Sequence, residues 1–203
     1  MKLDYSKVVT NEIVLDFPRL FHKQASFNGA PEKYSTVIII PKNDTETITK
    51  IQKAIEVSIE QGNVKDRDKL ILPLKDGDEV YKGKPMYENS YFMTVSTYDK
   101  PMVLDHNLKT LGEEGVKRGS YAKVSLGFYP YTYNGRVGVS CQLYNVQILN
   151  RKNRLSELRP SPFDDFKGIL ESGLTEKVVA ETAINTLVFV AVFFFQMYQR
   201  LAS

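Results

Sequence analysis

Tyr129, Tyr131 and Tyr133 occupy every second position near the end of a stretch reading Tyr121-Ala-Lys-Val-Ser-Leu-Gly-Phe-Tyr-Pro-Tyr-Thr-Tyr133. In a strand, that spacing puts all three rings on one face with Tyr121, Lys123, Ser125 and Gly127. The other face carries Ala122, Val124, Leu126 and Phe128 and suits a core. Flat aromatics with one cation among small polar residues offer a surface on which unpaired bases stack while the lysine meets a phosphate. The pattern alone leaves a second reading open, in which the rings cover a partner subunit, since tyrosine is apolar in body and polar at its tip.

Other chemistry finds little support. The two histidines, His22 and His106, have no HxxxH or HxxE spacing, so no metal site is expected. Asp105 and His106 are adjacent, and no serine or cysteine motif accompanies them. Cys141 is the only cysteine, which rules out an intramolecular disulfide. It sits in an apolar alternating segment and reads as a buried, inert thiol. Asp76-Gly-Asp-Glu79 lacks the full calcium-loop pattern and reads as a solvated acidic turn; a metal-dependent hydrolase built on it is the least favoured reading. Neither GxxxxGK[ST] nor GxGxxG occurs. The expectation is a non-enzyme without cofactor or metal.

The composition is that of a globular chain with a real core: 203 residues, 42% hydrophobic and 25% charged. A net charge of +3 neither requires nor forbids a nucleic acid, because distribution matters more than the sum. Twelve tyrosines and no tryptophan make a skewed aromatic set. Met1 to Lys7 has no apolar run and is not expected to be a signal peptide, which suggests a reducing, cytoplasmic setting.

These side chains need a sheet to hold them. Val9, Asn11, Ile13, Leu15 and Phe17 predict one face of a first strand, opposite Glu12 and Asp16, with Pro18 as its end. Tyr34 to Ile40 predicts a β-branched central strand. Asn43 and Glu46 have capping-box spacing before a helix with Ile48, Ile51, Ile55 and Ile59 on one stripe and Gly62 as its stop. Residues 63 to 90 read as a long loop, Tyr91 to Thr97 as a third strand, and Lys100 to about Gly119 as a second loop. Asn134-Gly135 then joins two alternating arms as a tight hairpin. Val146 and Ile148 are out of phase with Val137, Val139, Cys141 and Leu143, which predicts a bulge near Asn145.

Five strands and one helix suit a small closed Greek-key barrel of the OB type, with an open α+β sheet as the alternative. The OB order needs an early strand that is missed or split, because its helix usually follows the third strand. Behind a basic linker, Ala183 to Tyr198 is apolar, with an uninterrupted run Leu187 to Phe195. It is short for a bilayer span of roughly 20 residues. A buried or oligomerising helix, a membrane-associated helix and an extension without a role all remain open for it.

Several motifs in order resemble one family, the bacteriophage single-stranded DNA-binding proteins of the OB-fold type, first catalogued as a domain of unknown function. They are Phe17-Pro-Arg-Leu-Phe21, Lys33-Tyr-Ser35 leading to Ile38-Ile-Ile-Pro-Lys42, Leu72-Pro-Leu-Lys-Asp-Gly-Asp78, Gly127-Phe-Tyr-Pro-Tyr131 with its hairpin, and Arg159-Pro-Ser-Pro-Phe-Asp-Asp-Phe166. The resemblance covers about residues 1 to 167. It implies an OB-fold that coats single-stranded DNA during phage replication or recombination in a bacterial cell. Proteins of this functional class often end in an acidic tail that recruits partners; here the chain continues beyond Asp164-Asp165-Phe166 into the apolar segment.

The expectation is therefore a DNA-binding domain over 1–160 and a tail with an apolar helix over 161–203. Bases are expected on Tyr129, Tyr131, Tyr133 and Tyr98. Phosphates are expected on Lys123, Lys100, Arg118, Arg136 and Lys33, with Tyr121 and Tyr34 as further members. The partner is single-stranded DNA. Replication or recombination proteins, a second copy of the chain, and a membrane contact of the tail stay open. The rival is a protein-interaction module that assembles through the tyrosine face and the tail.

Overall fold

Hydrogen bonding closes five alternating segments into a ring. The computed structural model describes residues 7–25, 31–62 and 70–158. Its strands in chain order are β1 (Lys7–Val9), β2 (Ile13–Gln24), β3 (Lys33–Pro41), β4 (Lys75–Asp76), β5 (Ser90–Thr97), β6 (Met102–Leu104), β7 (Tyr121–Tyr133) and β8 (Arg136–Ile148). The helices are α1 (Thr45–Gln61), α2 (Gly77–Val80) and α3 (Arg154–Leu158). β2, β3, β5, β8 and β7 pair in that order, and β7 returns to β2 through Ile13 with Ala122 and Val14 with Tyr121. The result is the expected mainly β barrel with one long helix, and closure of the ring removes the open-sheet alternative. The expected tail with an apolar helix, over 161–203, lies outside the described residues.

The early strand is split, as the OB order requires. β1 pairs with β7 at Ser125 to Gly127, and β2 pairs with β7 at Tyr121 and Ala122. Between them the Thr10 hydroxyl accepts from Val124 N at 3.0 Å, while Thr10 N donates to the Val124 carbonyl at 3.0 Å. The break turns Asn11 onto α1. Its amide donates to Asp44 Oδ1 at 3.0 Å and Glu46 Oε2 at 3.1 Å, and its backbone N–H donates to Thr47 Oγ1 at 2.9 Å. The helix cap is Asp44, which accepts from Thr47 N, and not Asn43 as the capping-box spacing suggested.

Inward residues of the five ring strands form one core. Ile13, Leu15, Ile38, Ile40, Met93, Val95, Leu126, Phe128 and Leu143 are almost fully buried. Ile48, Ile51, Ile55 and Ile59 of α1 join the same cluster. Each such side chain contributes about 1.5–3 kcal/mol on burial. Cys141 belongs to this core, and burial pushes its thiol well above the ordinary range, as an inert thiol requires.

Pro18 does not end β2. The strand bulges instead, with Phe17 at φ 46° and a register shift between Asp16 and Arg19. The bulge reverses the expected faces: Asp16 is fully buried and Phe17 is 51% exposed. Asp16 accepts from Tyr87 Oη at 2.5 Å, from Phe17 N at 2.9 Å, and from both Nε and Nη2 of Arg118. A buried carboxylate is tolerable only with its lone pairs occupied in this way.

Residues 70–90 are likewise more than a loop. Met86 and Tyr87 pack with Val14, Ile39, Phe92 and Tyr121 as a second core on the outside of the barrel. The Tyr81 ring packs at a tilt against those of Tyr87 and Phe92, with centroids 4.3 Å and 4.9 Å away. The acidic turn is not merely solvated: Lys42 Nζ bridges Asp76 and Asp78, each at 2.7 Å. Both aspartates are held below the usual carboxylate range, mainly by that hydrogen bond.

Candidate nucleic-acid interface

The long hairpin sets the geometry. Asn134 at φ 48° and Gly135 at φ 71° make its tight turn. The turn fixes a register in which Tyr133 faces Arg136, Tyr131 faces Gly138 and Tyr129 faces Ser140. Further along, Ser125 pairs with Asn145 and Leu126 with Leu143, so Tyr144 is the extra residue of the expected bulge. The bulge lets Val146 and Ile148 reach the same interior as Leu143.

On the outer face of the barrel, the tyrosine end of the hairpin meets β5 across a groove of about 590 Å³. Tyr129, Tyr131 and Tyr133 come from β7, Ser140 from β8, and Thr94 and Tyr98 from β5 and its end. Tyr129 and Tyr131 are half-buried, whereas Tyr98 is 52% and Tyr133 70% exposed. Lys33 also lines the groove, with its Nζ 4.5 Å from the centre of the Tyr98 ring. Four expected stacking residues and one expected phosphate contact therefore meet in one place.

The remaining candidates sit elsewhere. Arg136 is exposed beside Tyr133 at the hairpin tip, and Lys100 is exposed two residues beyond Tyr98. Lys123 is exposed on the same face of β7, about 20 Å along the strand from Tyr129 at 3.3 Å per residue. Tyr34 is half-buried opposite Thr97, with Lys23 Nζ 5.5 Å from its ring centre.

Two candidates need correction. Tyr121 points outward, as the alternation requires, but it is only 5% exposed because the second core and the segment after β8 cover it. Its hydroxyl donates to Glu157 Oε2 at 2.5 Å, and the Arg151 guanidinium lies 4.0 Å over its ring. Burial and then the Glu157 bond raise its phenol above the ordinary range. Arg118 is held by Asp16 and stacks 4.7 Å over Phe17; the Asp16 bond raises its pKa further. Both side chains serve the far end of β7.

The groove also has members that the sequence reading passed over. Ile71, Leu72, Pro73 and Lys75 line it opposite the hairpin. Ser140 could have been found by extending the hairpin register from Asn134-Gly135 to the residue facing Tyr129. The 71–75 segment carries no alternation that would reveal it.

Among the described residues, no group of three His, Cys, Asp or Glu could hold a metal ion. No helix among them is long and apolar enough to cross a membrane.

A family model described as "Enterobacter phage Enc34, ssDNA-binding protein" matches residues 6–178. No curated protein is significantly similar to the chain. Among solved structures, the single-stranded DNA-binding protein from bacteriophage Enc34 in complex with ssDNA aligns at TM-score 0.67 and 17% identity, over 73% of this chain and 89% of that one. A further structure of the single-stranded DNA-binding protein from bacteriophage Enc34 aligns at TM-score 0.62 and 18% identity, over 79% of this chain and 90% of that one. The single-stranded DNA-binding protein gp2.5 of bacteriophage T7 aligns at TM-score 0.50 and 14% identity, over 80% and 93%. At these identities the structural likeness establishes the fold, and the family match establishes the lineage.

Proposed function

The chain belongs to the family of the Enterobacter phage Enc34 ssDNA-binding protein, and from that membership we propose that it coats single-stranded DNA during phage replication or recombination. Bases stack in the groove on Tyr129, Tyr131, Tyr133 and Tyr98. Phosphates are met by Lys33 and, outside the groove, by Arg136, Lys100 and Lys123. The DNA-binding domain spans 1–160, and 161–203 form an appended tail.

The observation that carries this reading is the convergence of four outward tyrosines and a lysine on one groove. Aromatic platforms accept any base, because every base has a flat face, and each stacked base contributes roughly 1–3 kcal/mol. Duplex DNA binds more weakly, since its base faces are already engaged with one another. The Enc34 protein, which shares the fold, has been solved with ssDNA. The role is stoichiometric, as befits a family of binding proteins.

Tyrosine emission tests the reading directly, because the chain has no tryptophan to mask it. A single-stranded oligonucleotide quenches that emission in a titration whose affinity falls as salt rises. Emission unaffected by saturating oligonucleotide at low salt overturns the reading and favours the tyrosine face as a protein interface.

A further inference from the structure

β5 and β8 run parallel and pair at one point, Ser96 with Gln142. Four residues earlier on each strand, another part of the chain lies against both of them. Ile71 bridges to Gly138 on β8, and Lys75 pairs with Phe92 on β5. Two backbone hydrogen bonds anchor the first contact, Ile71 N to Val137 O at 3.1 Å and Val139 N to Ile71 O at 3.0 Å. The segment is thus a strap across the gap between the two strands. It shares one groove with the hairpin tyrosines.

Packing does not account for the side chains this strap presents. Ile71 and Leu72 are neighbouring aliphatics, yet 41% and 43% exposed. Lys75 is exposed at the level of Phe92, and Lys33 lies over Tyr98 at the other end of β5. Six residues of strand separate those levels by about 20 Å. The groove therefore has a cation at each end and apolar surface on both sides between them. That arrangement suits a few nucleotides of an extended polynucleotide, with bases against the apolar sides and one backbone phosphate near each cation.

We propose that residues 71–75 form the second wall of the DNA slot, with Ile71 and Leu72 pressing on base faces opposite the tyrosines and Lys75 Nζ meeting a phosphate. This rests on the DNA-binding reading above. It adds a wall that is aliphatic, so it excludes water from the stacked bases without selecting among them.

The test is a titration of a fluorescein-labelled oligothymidylate with the full chain, with Ile71→Ala/Leu72→Ala and with Lys75→Gln, at several salt concentrations. The double variant loses about tenfold or more in affinity with an unchanged salt slope. Lys75→Gln makes the slope shallower by about 0.7. Wild-type affinity and slope in both variants, each unfolding at the wild-type temperature, overturn the second wall while leaving the DNA reading intact. Should the double variant fail to fold, an unchanged slope in Lys75→Gln is enough to overturn the proposal. A wild-type chain that ignores the oligonucleotide overturns the DNA reading itself.

Discussion

Tyr131 lies across Gly138, its register partner on β8. A Cβ at position 138 would sit 2.9 Å from Tyr131 Cε1 and 3.0 Å from its hydroxyl, and closer still to the carbonyl of Ile71. One missing methyl group therefore sets the position of both sides of the groove. Gly138→Ala pushes the ring and the strap away together. It should cost about 1–3 kcal/mol of stability by overpacking and weaken oligonucleotide binding, measured by urea unfolding and titration of the same sample.

Tyr133 stands at the exposed end of the groove and holds up no part of the core. Tyr133→Ala should leave the unfolding midpoint unchanged. It should lower affinity by the equivalent of one stacked base, roughly 1–3 kcal/mol. Titration with unfolding as a control checks both halves.

Asp16 and Arg118 make a structural pair at the other end of β7. In Asp16→Asn the charge is lost and the Tyr87 hydroxyl, the Phe17 amide and the guanidinium share a poorer acceptor. The expected loss is about 1–3 kcal/mol of folding stability in urea, kept moderate because Arg118 is itself half-exposed to solvent. Arg118→Met should destabilise in the same direction and leave the salt slope of DNA binding unchanged.

Lys42 couples acid stability to the turn at Asp76 and Asp78. Both carboxyls titrate lower in the folded chain than in the unfolded one. Their contribution is therefore complete above the unfolded value of about 3.9 and is lost as pH falls below it. Lys42→Met removes the cause, so its acid unfolding, followed by circular dichroism, should begin at a higher pH than that of the wild type.

Local pattern made much of this legible. The alternation of Tyr121 to Tyr133 told inside from outside, and Asn134-Gly135 placed the turn, because both signals belong to neighbouring residues. Tyr121 shows where such signals stop. Its face was readable, but its cover comes from Leu149, Leu155 and Tyr87, residues distant in sequence. The reversal at Asp16 and Phe17 depends on a positive φ and on partners at positions 87 and 118, which no periodicity encodes. The strap was hidden for a similar reason: Leu70-Ile-Leu-Pro-Leu74 is apolar without alternation, and pairing with β8 and β5, with Leu70 and Leu74 against the core, gives it a place.

The most direct test of the central claim is oligonucleotide affinity in the Tyr129→Ala/Tyr131→Ala chain, with folding verified by thermal unfolding. Loss of two stacked bases predicts a fall of at least about thirtyfold. A folded double variant that binds the oligonucleotide as tightly as the wild type would contradict the account.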